Sequence, residues 1–288
     1  GARDTVLASV VNNTGIIQAR SVQNVNGVIV LEAGSAGAAG NRGTLDASGL
    51  GHGEAGGAVK VLGGAVTLAA GSLTDVSGDA GGGTVLVGGN FLGAGAEQNA
   101  HTTTVAAGAS IKADAMTAGN GGSVAVWSDG TTQFNGSITA RGGNTAGNGG
   151  QVETSGKNLN INASAAVDTA APRGVAGDWL LDPDDITIGN GSAFNSGLNS
   201  VVYPINVDTR VLTEALNHGN VTIKTTGSSA SCTLTPQCTG APGNGDIIVL
   251  DYIGFAVDYN NGNAGVNWEL GNNTLTLSAY RNIDFKIT

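Results

Sequence analysis

An apolar residue returns about every 28 residues through the first two-thirds of this chain, and that beat restricts the fold more than any other feature. Ile17, Leu45, Leu73, Ile111, Ile138 and Val167 each follow a Gly or Ala by two positions, with steps of 28, 28, 38, 27 and 29 residues. A second set, Ile29, Val59, Val85, Val124, Val152 and Leu180, steps by 30, 26, 39, 28 and 28. Both landmarks lengthen in the same place. A fixed period of roughly 20–50 residues marks a solenoid, a propeller or an array.

The local pattern chooses among these. Val59-Lys60-Val61, Val85-Leu86-Val87, Val124-Ala125-Val126 and Leu159-Asn160-Ile161 alternate apolar with polar or small residues. That alternation reads as short strands with one buried face. Clusters such as Gly81-Gly82-Gly83 and Gly147-Asn148-Gly149-Gly150 separate them, and Gly and Asn suit tight corners. No 3.6-residue pattern occurs before residue 189, so helical repeats fit poorly. A propeller blade needs about 40–45 residues for four strands. Each cycle here holds three short strands, the content of one coil of a parallel β-helix. The fold expected is therefore all-β, a parallel β-helix of about 28-residue coils. On this register Gln18, Asp46, Thr74, Lys112, Thr139 and Asp168 point outward, and Ala19, Ala47, Asp75, Ala113, Ala140 and Thr169 point inward. Asp75 is the discordant member.

The beat fades near residue 189, which divides regular coils (1–189) from a less regular continuation (190–288). Strand patterns return at 220–225, 246–250, 274–277 and 283–287. A short helix is expected at 209–218, started by Asp208 or Thr209 and stopped by Gly219. The longer third cycle implies one looped-out excursion at 94–104. Its Ala94, Gly95, Glu97, Gln98, Asn99 and His101 form the candidate interaction loop. Tyr203, Tyr252, Phe255, Tyr259, Trp268 and Tyr280 gather late in the chain, either filling a wider section or forming a contact surface.

Composition excludes several functions. The net charge is −10 and the twelve Lys and Arg are scattered, so nucleic acid has no basic footprint. No apolar run is long enough to span a bilayer, and no signal peptide is visible. The chain reads as a mature piece or a fragment of something longer. Cys232 and Cys238, in a Pro/Gly-bounded loop at 228–244, read as a disulfide of an oxidising compartment. His52, His101 and His218 are far apart in sequence, so no metal or cofactor is expected. Asp182-Pro183-Asp184-Asp185 is the densest acidic string. It is either a corner whose carboxylates cap backbone amides or, against its spacing, a cation site. Enzymes on β-helices gather carboxylates on one face, and the outward row here carries only Asp46 and Asp168, so catalysis is not expected.

The strings Gly149-Gly150-Gln151-Val152-Glu153-Thr154-Ser155-Gly156-Lys157 and Asp178-Trp179-Leu180-Leu181-Asp182-Pro183-Asp184-Asp185-Ile186 resemble the exoproteins of bacterial two-partner secretion, the filamentous haemagglutinin-like and high-molecular-weight adhesins. Asn13-Thr14-Gly15-Ile16-Ile17 and Leu45-Asp46-Ala47-Ser48-Gly49 agree. The resemblance covers about residues 5–190 well and the rest loosely. It implies a right-handed β-helix exported through the periplasm by an outer-membrane transporter. It also implies a place at the cell surface as an elongated adhesin facing a host receptor, a glycan or exopolysaccharide. The alternatives are a specific host-protein or glycan capture protein and, less favoured, a polysaccharide-acting enzyme. Far-ultraviolet circular dichroism should be of β type; a spectrum dominated by helix or coil would contradict the repeat.

Overall fold

The computed structural model describes residues 10–22, 26–190, 194–195, 202–203, 205–226, 245–250 and 272–285. Cys232, Cys238 and the loop 228–244 lie outside the described residues, as do Tyr252, Phe255, Tyr259 and Trp268. The described residues are mostly β, with parallel sheets and one α-helix.

Three rows of strands follow one another in each repeat. The first row pairs Val10–Asn13, Ala38–Asn41, Ala65–Leu68 and Thr102–Val105, then 131–134 and 158–161, all parallel. The third row pairs Ile16–Gln18, Thr44–Asp46, Leu73–Asp75, Ser110–Lys112, Ser137–Thr139 and Ala166–Asp168 as a separate six-stranded sheet. The second row pairs Val28–Glu32, Ala58–Leu62, Thr84–Val87, 123–126, 151–153, Asp178–Leu181, Asn220–Lys224 and Leu275–Ser278. Two long strands, Ser123–Phe134 and Gln151–Ile161, run from the second row into the first, with a register shift between Ser128 and Thr131. These continuous strands join both rows into one 16-stranded sheet. Within these rows each strand thus gives its backbone groups to its counterpart in the next repeat. Side chains from all three rows meet in one apolar cluster, including Leu45, Val59, Leu68, Ile111, Val124, Phe134 and Trp179.

The structure corrects the register in two places. Leu45 pairs with Thr74, and Thr74 with Ile111, so the buried column runs through Thr74 rather than Leu73. Asp75 then falls in the outward column with Asp46 and Lys112, and Val76 takes the inward place beside Ala47 and Ala113. Asp75 is discordant only in a register displaced by one residue, which swaps the two faces of a strand. Likewise Val152 pairs with Trp179, not Leu180, and Trp179 is the largest fully buried side chain among the described residues. Its indole Nε1 donates to Thr154 Oγ1 at 3.0 Å, so the polar end of the ring is satisfied.

Asparagines close the first corner. Asn13 Nδ2 donates to Asn41 Oδ1 at 3.0 Å, while each Asn Oδ1 accepts from the amide two residues on, Gly15 or Gly43. Later repeats place Leu68, Val105, Phe134 and Ile161 at the same inward position.

After residue 189 the pairing leaves chain order. Val207 pairs with Ile161 on one side and with Ile188 on the other, so a later strand is inserted between two earlier ones. An antiparallel pair, Phe194–Asn195 with Val202–Tyr203, lies between these segments in sequence. The helix spans Thr209–His218 and packs against Ala166–Asp168, where a further third-row strand would otherwise lie. Asp208 caps it, accepting from Arg210 N, and Val211, Leu212, Ala215 and Leu216 form its buried face. Gly219 ends it in extended backbone; a Cβ there would lie 1.9 Å from Thr169 Oγ1.

Thr74 Oγ1 is buried with no hydrogen-bond partner among the described residues. Thr74→Val keeps the shape and removes the orphaned hydroxyl. It should raise stability by about 1 kcal/mol in denaturant unfolding; an unchanged or lowered midpoint would place residue 74 outside the apolar column.

Candidate functional site

The looped-out excursion is the segment 88–101, between Thr84–Val87 and Thr102–Val105. The expected end at residue 104 is corrected: Thr103 and Val105 face inward and are fully buried, so 102–105 belongs to the first row. The excursion does not project. It lies as a strap across the outward face of the second row.

The outward column of that row reads Lys60, Leu86, Ala125, Glu153 in successive strands. Outward residues normally meet water, yet Leu86, Ala125 and Glu153 are buried. The strap spans them and is fastened at both ends of the column. At one end Lys60 Nζ meets Glu97 Oε1 at 2.7 Å, and Asn90 Nδ2 donates to Glu97 Oε2 at 2.7 Å. At the other, Leu92 N donates to Glu153 Oε2 at 2.8 Å.

Local sequence explains the path. Asn90 Oδ1 accepts from Phe91 N and starts a single 3-10 turn, Phe91–Gly93. Inside it Leu92 has φ +58, the one non-glycine in the left-handed region among the described residues. Such backbone costs about 1–2 kcal/mol, offset here by a hydrogen bond to a carboxylate. Gly93 passes over the Trp127 ring, where a Cβ would lie 2.5 Å from the indole, and its φ is +61. Asn99 Nδ2 donates to Gly93 O and to Asp129 Oδ1 at 2.9 Å, and Trp127 Nε1 donates to the same Asp129 oxygen at 3.0 Å.

The two anchoring carboxylates sit in opposite electrostatic settings. Hydrogen bonds from Lys60 and then Asn90 pull the Glu97 carboxyl down to about 2. Burial pushes Glu153 up, against the pull of Leu92 N–H and Ser155, and nearby Asp182 pushes it further. Asp182 is itself raised by burial and opposed by Lys224, whose Nζ lies 3.6 Å from Asp182 Oδ2.

Of the residues expected from sequence, Glu97 and Asn99 are anchors of the strap. Ala94 and Gly95 form its turn: Ala94 N donates to Phe91 O, and Gly95 has φ +102. Gln98 places its Nε2 in the interior without a partner among the described residues. His101 is exposed, and its backbone N donates to Gly64 O where the chain rejoins the first row. Sequence reasoning missed Lys60, Trp127, Asp129 and Glu153. A signal existed, because Val59-Lys60-Val61 and Val152-Glu153-Thr154 occupy matching positions and so share one column. In the acidic corner, Asp185 Oδ1 accepts from Gly245 N and Asp246 N at 2.8 and 2.9 Å, as a capping carboxylate does. Among the described residues no group of three His, Cys, Asp or Glu is placed to hold a metal ion. No helix among them is long and apolar enough to cross a membrane.

No model of a known protein family matches this chain, and no curated protein matches it either.

The geometry makes a pH test of the strap. Glu153 titrates higher folded than unfolded. Its contribution is fully present below the ordinary carboxylate range and is lost as pH rises through the folded value. Glu153→Gln keeps an acceptor for Leu92 N and removes the buried charge. It should leave stability unchanged near about pH 3.5 and raise it by about 1–2 kcal/mol near about pH 8. Unfolding midpoints across that range check it; an equal effect at both ends would mean that Glu153 carries no excess cost of ionisation.

Proposed function

We propose that this chain is a section of a secreted bacterial adhesin of the two-partner secretion class, built as a right-handed parallel β-helix and serving as an extracellular scaffold. The observation that carries this reading is the pairing itself. Each of three rows repeats in parallel register at about one 28-residue cycle, and the rows share a single apolar cluster. Three rows taken in fixed order, each stacked on the previous repeat, are what a chain winding around one axis produces. The quoted strings 149–157 and 178–186 add the resemblance to the exoprotein family.

A scaffold role also fits the strap. A capture loop is held away from its support, whereas 88–101 is fastened down by Glu97, Glu153 and Asn99. Its effect is to shield Leu86 and Ala125, which would otherwise form an apolar patch on the outer face. Elsewhere half-exposed arginines reach buried carboxylates of the neighbouring repeat, such as Arg20 with Asp46 at 2.7 Å and Arg141 with Asp114 at 3.0 Å. These pairs tie neighbouring repeats together, with the arginine end of each half in water. On this reading the partners are an outer-membrane transporter and a surface on a host cell, a neighbouring cell or a matrix.

The test is where the protein resides. In the producing bacterium, antibody labelling and protease digestion of whole cells should find it outside, and removal of its outer-membrane transporter should abolish that exposure. Protein that stays inside intact cells, or reaches the surface without the transporter, would overturn the assignment.

A further inference from the structure

The strand inserted out of chain order builds a groove. Its mouth is an open cavity of about 510 Å³, and five of its ten lining residues carry side-chain amides. Gln133 and Asn160 are register partners, and Asn206 extends the same column through the pairing of Ile161 with Val207. Beside this ladder, at the following corner, stand Asn135 and Asn162. Adjacent strands lie about 4.8 Å apart, so the amides recur along the groove at that interval.

The hydrogen bonds leave these amides with one polarity. Asn135 Oδ1 accepts from Asn162 N at 3.2 Å. Asn162 Oδ1 accepts from Ser164 N at 3.0 Å and Ser164 Oγ at 2.6 Å. Asn160 Oδ1 accepts from Asn206 Nδ2 at 3.4 Å. Their carbonyl ends are therefore taken by the protein, and among the described residues their Nδ2 groups donate to nothing. Exposed Gln133 makes no side-chain hydrogen bond among the described residues. Arg210 spends Nε and Nη2 on Asp208, at 2.9 and 2.7 Å, which leaves Nη1 free and the pair neutral. The result is an uncharged array of N–H donors.

We propose that this groove binds an uncharged, oxygen-rich glycan segment through the amide N–H groups of Asn135, Asn160 and Asn162, with Gln133 and Arg210 completing the donor set. Ring and glycosidic oxygens only accept, and hydroxyls turn to accept, so a glycan uses every donor offered. An extended peptide brings as many N–H donors as acceptors, whereas each of the three Asn carbonyls here already accepts from the protein. A polyanion finds no net positive charge here, on a chain of net charge −10. The periodic donors suit a polymer whose own units repeat. This site rests on the extracellular scaffold reading only for its biological setting; the chemistry belongs to the groove.

Calorimetric titration with chitohexaose, cellohexaose and mannohexaose, and with hyaluronan and polygalacturonate fragments as charged counterparts, tests it on the full chain. At least one neutral hexasaccharide should bind. The double variant Asn160→Asp, Asn162→Asp keeps every hydrogen bond those side chains accept and removes their donors, so it should weaken binding by about tenfold or more. Gln133→Ala, which removes no internal hydrogen bond, should weaken it by a smaller factor and serves if the double variant loses its thermal unfolding transition. Binding of charged fragments alone, binding unaltered by these changes, or no binding of any neutral hexasaccharide would overturn the assignment. Any of these would leave cell-surface placement intact, since that is measured separately on whole cells.

Discussion

Everything in this structure depends on parallel backbone pairing between equivalent positions one repeat apart. A strand of three to five residues has too few hydrogen bonds to persist alone. Stacked between its neighbours in the repeat, it has both edges satisfied and its inward side chains covered from above and below. That is why strands as short as Thr44–Asp46 or Ser137–Thr139 form at all. It also explains why a low-aromatic chain has a core. Small and β-branched residues repeated along a column bury each other without the large rings that a globular centre uses.

The same constraint governs the departures. The strap at 88–101 leaves between two rows and returns to one of them without breaking either ladder, because Thr102–Val105 resumes pairing with Ala65–Leu68. The inserted strand at Val207 is the more demanding case. It takes a place between Ile161 and Ile188, and Asn206 bonds to both sides, giving O to Ile161 N and Oδ1 to Thr187 N. The helix then covers the end of the third row, using an apolar face where a strand would have used an edge. Function, on the proposed reading, is placed at these departures. A perfectly regular stack offers only solvated columns, whereas an insertion creates a concavity with its own chemistry.

Much was legible from residue order because strand periodicity is a two-state code. Alternation at Val59-Lys60-Val61 or Val124-Ala125-Val126 states which side chain is buried, and the spacing of such strings states which strands are neighbours. The short helix was legible too, since Asp208, Gly219 and the apolar spacing between them are local signals. Register is less legible: hydrophobicity favours Leu73 and Leu180 for the buried positions, and the occupants are Thr74 and Trp179. Hydrophobicity alone does not set register when two adjacent residues both qualify; the backbone pairing of the neighbouring repeats does.

The sequence by itself determined the strands, their period, the polarity of their two faces and the position of the helix, because each of these is written in neighbouring residues. Tertiary structure decided three further things. It laid the excursion flat, by pairing Lys60 with Glu97 and Leu92 with Glu153 across 37 and 61 residues. It ordered the strands as Ile161, Val207, Ile188 rather than in chain sequence. It turned the amides of Asn135, Asn160 and Asn162 donor-side out. These outcomes depend on which distant groups compete for the same hydrogen bonds, and no local pattern records the result of that competition.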